Sequence, residues 1–304
     1  MKVGIDKLWN YYEPQFEYEK IFPDFGWPWF GHKYFAYDFI RNLKPQIIVE
    51  LGTHRGTSFF SMCQAVKDGK LKTKLYAVDT WKGDEHAGFY DETIFNEVNK
   101  IKKTYYSKQN IILLRSLFDD AVAKFKNNSI DILHIDGLHT YEAVKHDFNN
   151  WFNKVKTNGT IIFHDTNEKK GDFGVYKLWD KLKKKYKTLE FFHSHGLGIL
   201  FKKQVPAQDH KIFETIWQKY YPILTDKKVL TIQLQQYLSE IKKIKEEFTK
   251  KSFEAENYKK ELTQTKIENQ NLINILNKIK SAKFFRLWQK YCKLRDSIIK
   301  QHKV

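Results

Sequence analysis

Five short apolar runs, at residues 46–51, 74–79, 110–114, 130–136 and 159–164, are each followed by an amphipathic segment, at residues 57–68, 91–103, 117–126, 140–154 and 174–186. Runs this short and rich in Ile, Val and Leu read as strands buried on both faces, and the segments between them are long enough to be crossover helices. The pattern predicts an α/β fold built on a doubly wound, mostly parallel, Rossmann-like sheet. The stretch EFFHSHGLGILFKK at residues 190–203 carries two apolar runs about a Gly-rich bend, which predicts an antiparallel finish to that sheet.

This domain is expected over residues 41–204. Before it, residues 1–40 include FPDFGWPWFGHKYF, an aromatic stretch with two of the six Pro, read as an irregular cap or lid. After it come a linker helix over 205–229 and a heptad pattern over 230–280, with no Gly or Pro beyond Pro222. With Leu234 at position a, the a/d series ends at Ile279 and is apolar at eleven of fourteen positions, with Asn269 as one polar a residue. That periodicity predicts a C-terminal coiled coil and hence a homo-oligomer; the alternative is a solitary helix folded back on the domain. Residues 281–304 form a basic amphipathic helix whose apolar stripe is Phe284, Phe285, Leu287, Trp288, Tyr291, Leu294, Ile298 and Ile299. Such a helix suits peripheral contact with an anionic membrane, a docking protein, or plain packing.

The net charge is +17, with residues 205–304 carrying 21 basic and 11 acidic side chains. Its 48 Lys against 5 Arg argue against a nucleic-acid partner, because base and phosphate recognition favours the Arg fork. Two distant cysteines, Cys63 and Cys292, supply neither a disulfide framework nor a zinc site. No apolar run is long enough for a signal peptide or a membrane span. The expected location is cytoplasmic, with the C-terminal helix at the inner face of the cell membrane.

The chemistry concentrates in IIVELGTHRGTSFF at residues 47–60, where a buried strand ends at Glu50 and is followed by Gly52 and Gly56. Glycines there allow a tight strand-to-helix turn and close approach of a ligand to the backbone. Asp79, 27 residues beyond Gly52, ends the next strand and suits bonding to ribose hydroxyls. The third glycine of a dinucleotide fingerprint is missing, which favours a ligand with one nucleoside and no phosphates, such as S-adenosylmethionine.

With these motifs the chain resembles the class I S-adenosylmethionine-dependent methyltransferases. Residues 27–203 resemble the branch related to macrocin O-methyltransferase and cephalosporin-hydroxylase-type proteins of bacterial glycan biosynthesis. VELGTHRGTS, YAVDTWKGDEHAGFY, DILHIDGLHTYEAV, GTIIFHDTN and GDFGVYKLW carry the match. The resemblance implies that Glu50, Gly52, Thr53, Gly56 and Ser58 wrap the methionine end of the cofactor. It places Asp79 on the ribose with Trp81 beside it, and Ser116 near the adenine edge. Asp136, His164 and Asp165 fall on the positions that hold a divalent metal in metal-dependent members, although those relatives tend to have two adjacent carboxylates where this chain has His164 then Asp165.

Independently, Asp136 and Asp165 end apolar strands at the carboxyl edge of a parallel sheet, where open α/β folds bind ligands. With an imidazole they would form an oxygen-rich site for Mg²⁺ or Mn²⁺; the alternative is that each caps the helix that follows. His139, three residues after Asp136, could reach a substrate hydroxyl as general base, or be a supporting histidine. His193 and His195 could line the same edge, and His86, between Gly83 and Gly88, suits a substrate-covering lid. The residues and the resemblance together favour an O-methyltransferase acting on a sugar hydroxyl of a surface glycan or its precursor. The alternatives are a small-molecule or RNA methyltransferase, and a coiled-coil scaffold or membrane-docking protein with a degenerate domain.

Overall fold

The computed structural model describes residues 9–203 and 207–301. The first eight residues of the expected cap, residues 204–206 at the expected linker boundary, residues 302–304, and the side chains of Ile298 and Ile299 lie outside the described residues. In chain order the elements are α1 (Lys33–Leu43), β1 (Ile47–Leu51), α2 (Thr57–Asp68), β2 (Lys74–Asp79), β3 (Gly83–Asp84), β4 (Gly88–Phe89), α3 (Glu92–Tyr105) and β5 (Asn110–Arg115). They continue with α4 (Phe118–Val122), β6 (Ile130–Ile135), α5 (Tyr141–Phe152), β7 (Val155–His164), α6 (Val175–Leu182), β8 (Lys187–Phe191), β9 (Leu197–Phe201), α7 (Ala207–Ser281) and α8 (Lys283–Gln301). Short 3-10 turns at Glu17–Lys20 and Pro28–Gly31 punctuate the segment before α1.

Seven strands form one sheet in the order β5-β2-β1-β6-β7-β9-β8, and β3 with β4 forms a separate antiparallel hairpin. The first five are parallel, and β9 runs antiparallel to both β7 and β8. This is the Rossmann-like sheet with an antiparallel finish that the sequence pattern predicts. Strand residues alternate between the faces, so along β1 Ile48 joins the layer with α1 and α2, while Val49 and Leu51 join the layer with α5 and α6. β7 begins four residues earlier than the apolar run indicates. A register shift opposite Ile130 and Ile132 accommodates the polar residues 156–158, which carry no strand signal.

The chain divides into two units, residues 1–230 and 231–304. The start of α7 belongs to the first unit: Trp217, Tyr221 and Thr225 are buried, and Tyr221 donates to Asp38 Oδ2 at 2.7 Å while accepting from Trp9 Nε1 at 3.0 Å. The second unit comprises the rest of α7 and then α8; its expected a and d residues, among them Leu234, Ile241, Leu262 and Ile279, are exposed. Among the described residues no helix is long and apolar enough to cross a membrane.

The cap segment before α1 is held from within. Lys33, only 1% exposed, donates to the equally buried Asp24 at 2.8 Å and to Glu19, and its ammonium lies 4.1 Å from the centre of the Phe30 ring. Tyr18 donates to the other Asp24 oxygen at 2.7 Å. Either charge would be costly to bury alone, so each member holds the others in place.

Candidate active site

The order of strands reverses at β1, so the crossovers leave β1 and β6 in opposite directions and open a crevice at their carboxyl ends. A cleft of about 500 Å³ occupies it. Gly52 leaves β1 at φ +84°, and a Cβ there would stand 2.0 Å from the backbone oxygen of Asp136. Only glycine lets the two loops meet so closely. Gly56, at φ +86°, begins α2, whose N-terminus no side chain caps. Gly52, Thr53, Gly56, Thr57 and Ser58 all line the cleft, so the first N–H groups of α2 stand ready for a ligand carboxylate.

Asp79 ends β2 against this turn. One carboxylate oxygen accepts from the N–H groups of Thr53 (2.8 Å) and His54 (2.9 Å), and the other accepts from that of Trp81 (2.7 Å). The carboxylate thus braces the glycine turn while also lining the cleft. Thr53 Oγ1 is buried without a partner, a further polar atom left for a ligand.

Three residues expected to touch a cofactor do not line the cleft: Glu50 and Trp81 are buried behind it, and half-exposed Ser116 lies beside it. Glu50 shares the face of Ile48 and is fully buried, where it accepts from His134 Nδ1 at 2.9 Å. Trp81 turns at φ +52° into the core, edge-on to Phe95 at 5.0 Å, and its indole donates to the His54 carbonyl at 3.0 Å. Ser116 donates to the Leu117 carbonyl at 3.0 Å, and Leu117 and Phe118 line the cleft in its place.

The ends of β6 and β7 bring the catalytic candidates together. Asp165 Oδ2 is 3.0 Å from His139 Nε2 and 3.1 Å from His164 Nδ1, and its Oδ1 is 3.4 Å from His195 Nδ1. Asp136 Oδ1 is 3.4 Å from His164 Nδ1 and 3.5 Å from His139 Nε2. Neither carboxylate caps a helix: Thr140 caps α5, and α6 begins at Gly174 with no side-chain cap. The helix-capping alternative is thereby removed. His139, Asp136, His164, Asp165 and His195 all line the cleft, whereas His193 bonds the Gly31 carbonyl at 3.0 Å beside His32.

Burial alone would raise both carboxyls, but the His164 charge and the bonds from His139 outweigh it and hold Asp136 and Asp165 well below the usual carboxylate range. Burial likewise opposes charge on the imidazoles. The two carboxylates overcome it and lift His139 to about 9 and His164 to about 10. Among the described residues, Asp136, His139 and Asp165 form a group whose donor atoms all lie within 4.8 Å of one another. His164, expected as the third ligand, lies outside that group: its Nδ1 faces both carboxylates while its ring stacks on Trp29 and its Nε2 is buried and unpartnered.

Trp29 and His134 escape a reading of the sequence. The Trp29 indole donates to Asp136 Oδ2 at 2.9 Å from the cap segment, a contact across 107 positions that no local pattern marks. His134 had a signal: it and Glu50 are lone polar residues in apolar runs, and they face each other in register across β1 and β6.

The uncharacterized protein y4gI of Sinorhizobium fredii is 44% identical over 173 residues, which are 57% of this chain and 19% of that protein. An uncharacterized protein of Acanthamoeba polyphaga mimivirus is 33% identical over 123 residues, 38% of this chain and 50% of its own. The chain therefore spans about a fifth of the first relative's length and half of the second's. Among solved structures it is similar to the SAH-bound methyltransferase PaMTH1 of Podospora anserina, with a TM-score of 0.44 and 13% identity over 57% of this chain and 78% of that one. It is similar also to the O-methyltransferase TomG of Streptomyces achromogenes in complex with SAM, with a TM-score of 0.44 and 10% identity over 64% and 92% of the two chains. Residues 49–166, which hold the glycine turn, Asp79 and the Asp/His cluster, match the family model of a methyltransferase domain.

Proposed function

We propose that the protein is an S-adenosylmethionine-dependent O-methyltransferase acting on a sugar hydroxyl of a glycan or its precursor. The observation that carries the reading is that one cleft holds both the Gly52/Gly56 turn braced by Asp79 and the His139, Asp136 and Asp165 cluster. The residues fit the cofactor: the glycine cradle admits no side chain at Gly52, Thr53 Oγ1 awaits a partner, and the uncapped start of α2 suits a carboxylate. S-adenosylmethionine, when bound, supplies an electrophilic methyl group on a sulfonium. The protein's part is to align the acceptor and take its proton. Beside a cationic ligand the His139 imidazolium loses its proton more readily, which frees Nε2 to accept that of the hydroxyl. The sugar preference rests on the resemblance, and half-exposed Trp27 at the cleft offers a flat apolar surface for a sugar ring.

Calorimetry on the full chain tests the cofactor assignment. Asp79→Ala removes charge-assisted bonds of about 1.5–3 kcal/mol each and loosens the turn, so affinity for S-adenosylmethionine should fall at least tenfold. Unchanged binding in this variant refutes the site.

The compactness of the Asp136, His139 and Asp165 donors favours a second version, in which they hold Mg²⁺ or Mn²⁺. A hard cation suits two carboxylates and an imidazole and would lower the hydroxyl pKa, with His139 then a ligand. Under this version transfer stops in excess chelator and returns with Mg²⁺ or Mn²⁺, while cofactor binding persists. Undiminished transfer in chelator leaves His139 as the base.

The second unit supplies a location and an oligomeric state. Residues 231–280 would pair with further copies through the exposed a and d residues. The apolar stripe of α8, flanked by Lys283, Arg286, Lys290 and Lys293, would rest on an anionic membrane bearing the acceptor.

A further inference from the structure

We infer that His86, carried by the β3–β4 hairpin, is a positioning residue that fixes which nitrogen of His139 works at the acceptor. The inference rests on the reading of His139 as a group that acts in the cleft, and it holds whether Nε2 is the base or a metal ligand. His86 Nδ1 lies 3.3 Å from His139 Nδ1, and His86 Nε2 lies 2.8 Å from Asp172 Oδ1.

The donors follow from the end of the chain. An ionised carboxylate only accepts, so His86 must carry its proton on Nε2. In a neutral His86 the Nδ1 is then a bare acceptor, and His139 must supply the proton between the two rings from its own Nδ1. That leaves His139 Nε2, 3.0 Å from Asp165 and 3.5 Å from Asp136, as the nitrogen free to change partners. Imidazoles used as bases or ligands are held in this way through the nitrogen they do not use.

Packing fixes the plane as the hydrogen bond fixes the tautomer. The His139 ring lies within 1° of parallel to Phe173 at 4.9 Å, and His86 lies 13° from Phe173 at 4.6 Å. The hairpin is shaped to deliver His86: Asp84 accepts from the N–H groups of His86 (2.8 Å) and Ala87 (2.7 Å). Gly83 has φ +78°, and a Cβ there would stand 1.9 Å from the Gly88 oxygen. The Asp172 and Phe173 side is tied to the same loop by the Gly174 N–H, which donates to the His139 carbonyl at 2.8 Å. Two segments distant in sequence thus meet on the unused face of one imidazole.

The test is ring-nitrogen NMR on the full chain labelled at histidine, with His139→Gln to assign the signal and calorimetry with S-adenosylmethionine alongside. The wild type should show a downfield His139 Nδ1–H proton protected from solvent exchange. His86→Phe, which keeps a ring against Phe173, should lose that signal, and Asp172→Leu should weaken it, while cofactor affinity stays within about threefold in both. A wild type without the protected proton overturns the inference, as does a signal unchanged in His86→Phe. Absence of cofactor binding in the wild type would instead defeat the proposed function and leave the NMR result to decide the role of His86.

Discussion

Asp165→Asn lowers methyl transfer by at least about a thousandfold while leaving affinity for S-adenosylmethionine within threefold. The cofactor turn is braced by Asp79, and Asp165 makes no bond to it, so the two effects separate. Turnover is another matter, because this one carboxylate faces His139, His164 and His195. Without its charge Asp136 alone must balance His139 and His164, and an amide N–H would face imidazole N–H groups. General-base catalysis is worth about 10²–10⁴ in rate, and loss of a ligand carboxylate would also remove any bound cation. The measurement is S-adenosylhomocysteine formed against a panel of sugar acceptors, with calorimetry for the cofactor. A variant retaining a tenth of wild-type turnover would remove Asp165 from the chemistry.

Deleting residues 231–304 yields a monomer that binds S-adenosylmethionine as the full chain does but no longer sediments with anionic liposomes. The cut belongs after Leu230 because Trp217, Tyr221 and Thr225 are buried in the first unit. Each cation near an anionic leaflet contributes about 1 kcal/mol. Four of them along α8, with Phe284, Leu287, Trp288 and Tyr291 inserted, amount to a partitioning advantage of several hundredfold per chain. Pairing through residues 231–280 multiplies it by presenting several helices at once. Light scattering and sedimentation at low salt decide the matter; full-length protein that is monomeric and stays in the supernatant defeats both roles.

Short apolar runs announce strands, and β1, β2, β5 and β6 lie within a residue of where their apolar runs place them, even though β5 at the sheet edge is only partly buried. β7 does not, because residues 156–158 are polar at a register shift. The carboxyl-edge acids Asp79, Asp136 and Asp165 were legible because position at a strand end is a local property. Glu50 and Trp81 show the limit of adjacency: alternation along β1 carries Glu50 into the α1 and α2 layer, and a positive φ turns Trp81 into the core. Trp29 and the His86–His139 pair are products of tertiary folding, invisible until separate loops converge.

The buried Lys33–Asp24 pair, joined at its edge by the partly exposed Glu19, gives the cleft two walls of unequal firmness. On one side Trp27 and Trp29 descend from a segment whose shape is set by charges that cannot separate without exposing one another to apolar surroundings. On the other, the β3–β4 hairpin has only two residues in each strand and carries Phe89 almost wholly in solvent. His86 and His139 both line the cleft, so the hairpin end that bonds the working imidazole of the proposed mechanism is also the less braced wall.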